Sequence, residues 1–111
     1  MSPRGWGERI RDILDAVSEI DVFTHRMDFD DFKADTKTMK AVELNLIVIG
    51  EAVAGIPNEI EEKYPQIPWS LMRAMRNGLV HVYFSVDARL LWDKVKNDLP
   101  PLIKPLQSLL Q

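Results

Sequence analysis

The stretch "TKTMKAVELNLIVIGEAVA", residues 36 to 54, decides the fold. Met39, Val42, Leu46, Ile49 and Val53 recur at alternating threes and fours, the spacing of a helix with one face in an interhelical seam. The helix is expected to start at Asp35 or Thr36, and Gly55 with Pro57 close behind is a plausible stop. Near its end, "IGEA" places a glycine and a glutamate where neither helps helix packing by default. Gly50 can mark a close backbone approach with Glu51 at the rim, or Glu51 can help shape a polar site. The sequence leaves both readings open.

Working outward, every neighbour reads as helix. Residues 7 to 23 carry Ile10, Ile13, Leu14, Val17 and Ile20 on one face. "MDFDDFKADT" then breaks the pattern. Its cluster of Asp28, Asp30 and Asp31 reads as a solvated turn, with a divalent-cation site as the alternative. "PNEIEEKYPQIP" gives a short helix over 57 to 63 and a turn. Pro68, Trp69 and Ser70 open a fourth helix. Asp87 is a good N-cap for "DARLLWDKVKND". A last segment buries Leu102, Leu106 and Leu109; Pro100 and Pro101 suit a helix start, and Pro105 is expected to kink or shorten it. No segment alternates with period two. The expectation is one all-α domain over residues 1 to 111, a bundle of four or five helices.

Composition narrows the chemistry. Hydrophobic residues make up 46% of the 111 and charged residues 28%, which fits a folded domain and not a disordered one. There is no cysteine, so a disulfide framework, a thiolate metal site and a cysteine nucleophile are excluded. That usage suits the cytoplasm. The N-terminal residues lack a signal-peptide core, and the longest apolar run is far short of the ~20 residues of a membrane helix. Net charge is −3, which gives no general pull towards nucleic acid. The distribution says more: residues 64 to 86 hold Arg73 and Arg76 but no Asp, Glu or Lys, so this window is +2 and the rest −5. A positive window on an acidic protein points to a small anionic ligand.

Within that window "RNGLVHVY", residues 76 to 83, gathers Arg76, Asn77, His81 and Tyr83. At ~100° per residue, Met72, Met75, Leu79 and Val82 form the core stripe of an unbroken helix. Arg73, Asn77 and His81 fall opposite it, and Arg76 lies at the stripe's edge, about 140° from His81. Such residues also make an ordinary exposed polar face. Their chemistry argues for more. Histidine exchanges protons near neutrality, and arginine offers a fork of donors for phosphate oxygens. Asparagine can orient either. The set suits metal-free phosphodiester cleavage with the RNA 2′-OH as nucleophile, which needs both a proton acceptor and a donor. Each chain offers one candidate, because His25 has no comparable neighbours. A two-fold dimer would supply two.

The stretch resembles the R-x-x-x-x-H-x-Y signature of the HEPN ribonuclease superfamily, in its HepT-like toxin branch. "IGEA", "IPW", "MRNGLVHVYFSVD", "LW" and "NDLP" follow that branch in order and approximate spacing, over residues 10 to 106. The resemblance implies a homodimeric all-α bundle with two signature helices facing one cleft. It further implies a metal-independent endoribonuclease toxin without cofactor, with Arg76 and His81 catalytic and Asn77 as the polar residue after the arginine. Arg73 and Glu51 are the supporting candidates. A minimal nucleotidyltransferase (MNT) antitoxin is the implied partner, silencing the toxin by transferring AMP to Tyr83. Tyr83 is alternatively a half-buried aromatic at a helix end. From a different class comes the reading of a non-catalytic helical module that docks on a nucleotidyltransferase and helps present its substrate; an intact Arg76 and His81 favour the enzyme.

Overall fold

In the computed structural model, residues 5–76 and 87–111 are described. Two long helices form its frame. Helix α1 spans Trp6–Thr24, and α3 spans Thr36–Ala54. They run antiparallel: Arg9 lies against Gly55, and the buried Asn45 donates to Glu19 at 3.4 Å and to the Ala41 carbonyl at 3.2 Å. The seam is formed as its spacing predicts. Ile10, Ile13, Val17 and Ile20 from α1 meet Met39, Val42, Leu46, Ile49 and Val53 from α3, all buried. Leu14, expected on the same face, is only partly buried and packs against the core from the side. Among the described residues there are no strands, so the all-α class holds.

The acidic stretch after α1 is solvated as expected, with Asp28, Asp30 and Asp31 exposed, but it forms a short helix and not a mere turn. The chain leaves α1 through His25 and turns at Arg26, whose φ of 68° places it in the left-handed region. It then forms a short helix, α2, over Phe29–Lys33. Asp28 is the N-cap: its carboxylate accepts from the Asp31 amide at 2.8 Å, and the Asp31 carboxylate accepts in return from the Asp28 amide at 3.2 Å. This reciprocal capping box satisfies two amides that a helix start otherwise leaves open. Phe32 gives the short helix its reason to stay, because the ring is fully buried against Trp92, centroids 5.1 Å apart. Asp35 then caps α3, accepting from the Thr38 amide at 3.0 Å and the Thr38 hydroxyl at 2.7 Å.

Gly55 ends α3, but not as a left-handed cap: its φ is −91°. Helix α4, Asn58–Lys63, follows Pro57, and α5 spans Trp69–Ala74. The Trp69 indole N–H donates to the Tyr64 carbonyl at 3.0 Å and closes the turn between them. Met72 and Met75 are fully buried beneath α5, as their place in the core stripe requires, whereas Leu79 and Val82 lie outside the described residues.

Asp87 caps α6, Ala88–Asp93, by accepting from the Leu90 amide at 3.1 Å. The helix then widens into a π-helical turn, Lys94–Asp98, in which the Leu99 amide reaches back to the Lys94 carbonyl at 3.1 Å. Pro100 and Pro101 explain the change of pitch. Neither can donate to the carbonyls of Lys96 and Asn97, so the regular ladder cannot continue. A 3₁₀ turn, Pro100–Leu102, leads into α7, Ile103–Ser108. Pro105 falls in the first turn of α7, where its missing N–H would have had no intrahelical partner. The last element is accordingly short, and Leu102, Leu106 and Leu109 are buried.

Candidate functional site

Arg76 is the signature residue within the described part of the chain. It follows α5 directly, one residue past Met75, whose amide bonds the Met72 carbonyl at 3.2 Å and closes the helix. The arginine stem then crosses the back of α3 at Gly50. A Cβ on that glycine would stand 2.8 Å from the Arg76 Cβ and 3.0 Å from its Cγ. Only a residue without a side chain allows the two backbones this close. Beyond the stem, the guanidinium Nη1 donates to the carboxylate Oε1 of Glu51. "IGEA" thus supplies both the flat surface under the stem and the anion beside the head.

Arg73, one turn earlier on α5, donates through Nη2 to Glu61 of α4. These two pairs correct the reading of residues 64 to 86 as an unopposed positive window. Each arginine in it is matched by a glutamate from another helix, so the local field is close to neutral. The pairs differ in setting. Glu61 is largely covered, at 17% side-chain exposure, whereas Arg76 and Glu51 are 36% and 59% exposed. An ion pair as open as the latter contributes ~0–1 kcal/mol to stability, because water and salt screen it.

Asn77, His81 and Tyr83 lie outside the described residues. His25 is exposed at the C-cap of α1. With α1 and α3 antiparallel, that end of α1 sits roughly 15 Å along α3 from Gly50, at 1.5 Å rise per residue. Within one chain His25 therefore does not share a site with Arg76. A groove of about 410 Å³ opens elsewhere, between α1 and the π-helical turn, walled by Val17, Val95, Leu99 and Ile103 with Asp21 and Lys96 at its edge. Gly50, Glu51 and Arg76 do not line it. Its walls are mainly aliphatic, and Lys96 is the one cation among its described lining residues.

The arrangement around Arg76 can hold an anion. A guanidinium has five N–H donors, and among the described residues Glu51 engages one of its nitrogens, so the fork has further donors suited to oxygens such as those of a phosphate.

Residues 13–109 match the family model described as ribonuclease HepT-like. A protein of Thermococcus cleftensis named as a probable ribonuclease HepT is 44% identical over 99 residues, covering 89% of this chain and 90% of that one. A protein of Methanocaldococcus jannaschii named as a candidate RNase is 43% identical over 100 residues, covering 90% and 83%. Another from the same organism, similarly named, is 37% identical over 107 residues, covering 96% and 98%. No solved structure matches the chain.

Proposed function

The chain belongs to the HepT-like ribonuclease family, and on that premise we propose that it is an endoribonuclease toxin whose catalytic residues are Arg76 and His81. The observation that carries this reading is Arg76 itself. Its guanidinium is held at the surface between α3 and the end of α5, with Glu51 as its partner among the described residues, at the position that matches the family signature.

In the proposed reaction His81 takes the proton from a ribose 2′-OH. The 2′ oxygen then bonds to the adjacent phosphorus as the bond from phosphorus to the 5′ oxygen breaks. A 2′,3′-cyclic phosphate forms, and the leaving 5′ oxygen receives a proton. Arg76 holds the non-bridging oxygens, where negative charge grows. Asn77 and Arg73 are assigned supporting roles. Because one chain provides a single suitable histidine, the second proton carrier is assigned to a second copy, which makes the active species a homodimer. No step in this scheme needs a metal ion, so cleavage is expected to persist in EDTA.

The regulatory partner we assign is an MNT-type nucleotidyltransferase that transfers AMP to Tyr83, adding phosphate charge and bulk beside the site where substrate phosphate enters. Support for this part is the resemblance of "RNGLVHVY" to the signature and its final tyrosine.

The test is cleavage of an oligoribonucleotide by the purified chain. His81→Ala should abolish it, and Arg76→Ala should weaken it by ~3 kcal/mol in kcat/KM, the scale for losing one oxyanion donor. Unchanged cleavage by either variant, or activity lost to EDTA and restored by magnesium, would refute the proposal.

A further inference from the structure

The Arg76 side chain is held at two points by consecutive residues of one helix, and this goes beyond the signature. Gly50 admits the stem against the α3 backbone, where a Cβ would meet the Arg76 Cβ at 2.8 Å, its Cγ at 3.0 Å and its backbone nitrogen at 3.2 Å. One residue later, Glu51 accepts from Nη1. An arginine on a surface ordinarily samples many rotamers, because four torsions separate its head from the backbone. Here the first torsions are fixed by packing and the last by a charged acceptor.

Stability does not account for the second contact. With Glu51 59% exposed and Arg76 36% exposed, the pair is too wet to hold the fold together. Orientation accounts for it better. A carboxylate that engages one nitrogen restricts the plane of the guanidinium, and a guanidinium so held still carries further N–H donors of the kind phosphate oxygens accept from. We infer that Glu51 is a positioning residue, which acts by holding the Arg76 guanidinium ready for the scissile phosphate. This inference rests on the ribonuclease reading of the site and names the residue that prepares it.

A competing role makes the opposite prediction. If Glu51 blocked the arginine, its removal would free the guanidinium and improve substrate binding. The experiment is steady-state cleavage of a fluorescent oligoribonucleotide by the wild-type chain, Glu51→Ala, Glu51→Gln, Arg76→Ala and the Glu51→Ala/Arg76→Ala double variant, with melting temperatures measured alongside. Glu51→Ala should lower kcat by about tenfold or more, the penalty of a mis-set catalytic group, with a much smaller change in KM and an unchanged melting temperature. Glu51→Gln keeps an oxygen acceptor and should recover part of the loss. In the Arg76→Ala background, Glu51→Ala should cost nothing further, since its effect passes through the arginine. Wild-type kcat in Glu51→Ala, a lowered KM, or an equal loss with and without Arg76 would each overturn the inference while leaving the ribonuclease reading intact. Failure of the reading itself would look different: no cleavage by the wild-type chain, or full cleavage by Arg76→Ala.

Discussion

Arg9 lays its guanidinium over Gly55, in the space that a Cβ at the end of α3 would occupy. The glycine is therefore present for room and not for a left-handed turn, since its φ of −91° suits any residue. The contact also places a cation at the C-terminal end of a 19-residue helix, where the backbone dipole is negative. Gly55→Ala must push the Arg9 head aside, losing ~0.3–1 kcal/mol of that interaction, while restricting the unfolded chain is worth a similar amount in the opposite direction. The net change should be small. With Arg9→Ala already in place only the gain remains, and Gly55→Ala should then stabilise by ~0.4–1 kcal/mol. Urea denaturation of the four proteins checks this; a Gly55→Ala cost that persists without Arg9 would contradict it.

Gly50 sits five residues earlier on the same helix and should behave in the opposite way. The atoms a methyl would meet there are the Arg76 Cβ and backbone nitrogen, which cannot swing away as a guanidinium can. Gly50→Ala should thus destabilise by ~1–3 kcal/mol through overpacking, despite alanine's better helix propensity. A neutral or stabilised variant in the same denaturation series would show that α3 and α5 part easily at this point.

Arg26 carries backbone strain, with a φ of 68° in the turn between α1 and α2. The left-handed region costs a residue with a Cβ ~1–2 kcal/mol, and glycine avoids that at some cost in unfolded-chain entropy. Arg26→Gly should raise stability by ~0.5–1 kcal/mol, and Arg26→Ala, which keeps the strain, should not. Equal melting temperatures for the two variants would place the effect in the lost arginine side chain instead.

The long stripes of α1 and α3 were legible because periodicity is a local property, Asp87 marked the start of α6, and the Met72–Met75 spacing likewise marked the buried side of α5. What sequence reading missed depends on distance or brevity. Glu51 lies 25 residues before Arg76 and Glu61 lies 12 before Arg73, so a charge count over residues 64 to 86 could not see either partner. Helix α2 has five residues, too few to show a period, and its capping box uses Asp31 where glutamate or glutamine is the usual signal. Two phenylalanines spaced by three, Phe29 and Phe32, were the available clue. Of the candidate site, the sequence named Arg76 and Glu51 separately, whereas the contact between them needed the crossing of α3 by the end of α5.

Asp35 provides a pH-dependent cap. Hydrogen bonds from the Thr38 hydroxyl and amide hold its carboxyl below the ordinary value of 3.8. A carboxyl whose folded value is depressed contributes stability that is fully present above the unfolded value and is lost as pH falls through the folded one. The advantage of the wild-type chain over Asp35→Asn should therefore stay constant from neutrality to mildly acidic pH and shrink below 3.8. Thermal melts in steps down to about pH 3 measure it. An advantage that grows on acidification would reverse the sign and remove the cap as its cause.

Phe32 ties α2 to α6. Its ring is fully buried 5.1 Å from that of Trp92, and Phe29 adds a second ring contact at 6.3 Å with Arg89 stacked over it at 4.2 Å. Helix α6 begins at Ala88, directly after Asp87, so this cluster anchors the chain on the far side of the signature residues just as Gly50 and Glu51 anchor it at Arg76. Phe32→Ala removes the centre of the anchor and leaves a cavity, which should cost ~3–5 kcal/mol, a large share of the stability of a 111-residue domain. Phe32→Leu fills most of the space and should cost less than ~1.5 kcal/mol. Chemical denaturation gives both values. Ribonuclease activity should fall only with the folded fraction, since the ring has no part in the seat of Arg76. Activity lost by fully folded Phe32→Leu would mean instead that the α2–α6 contact sets the geometry of the site.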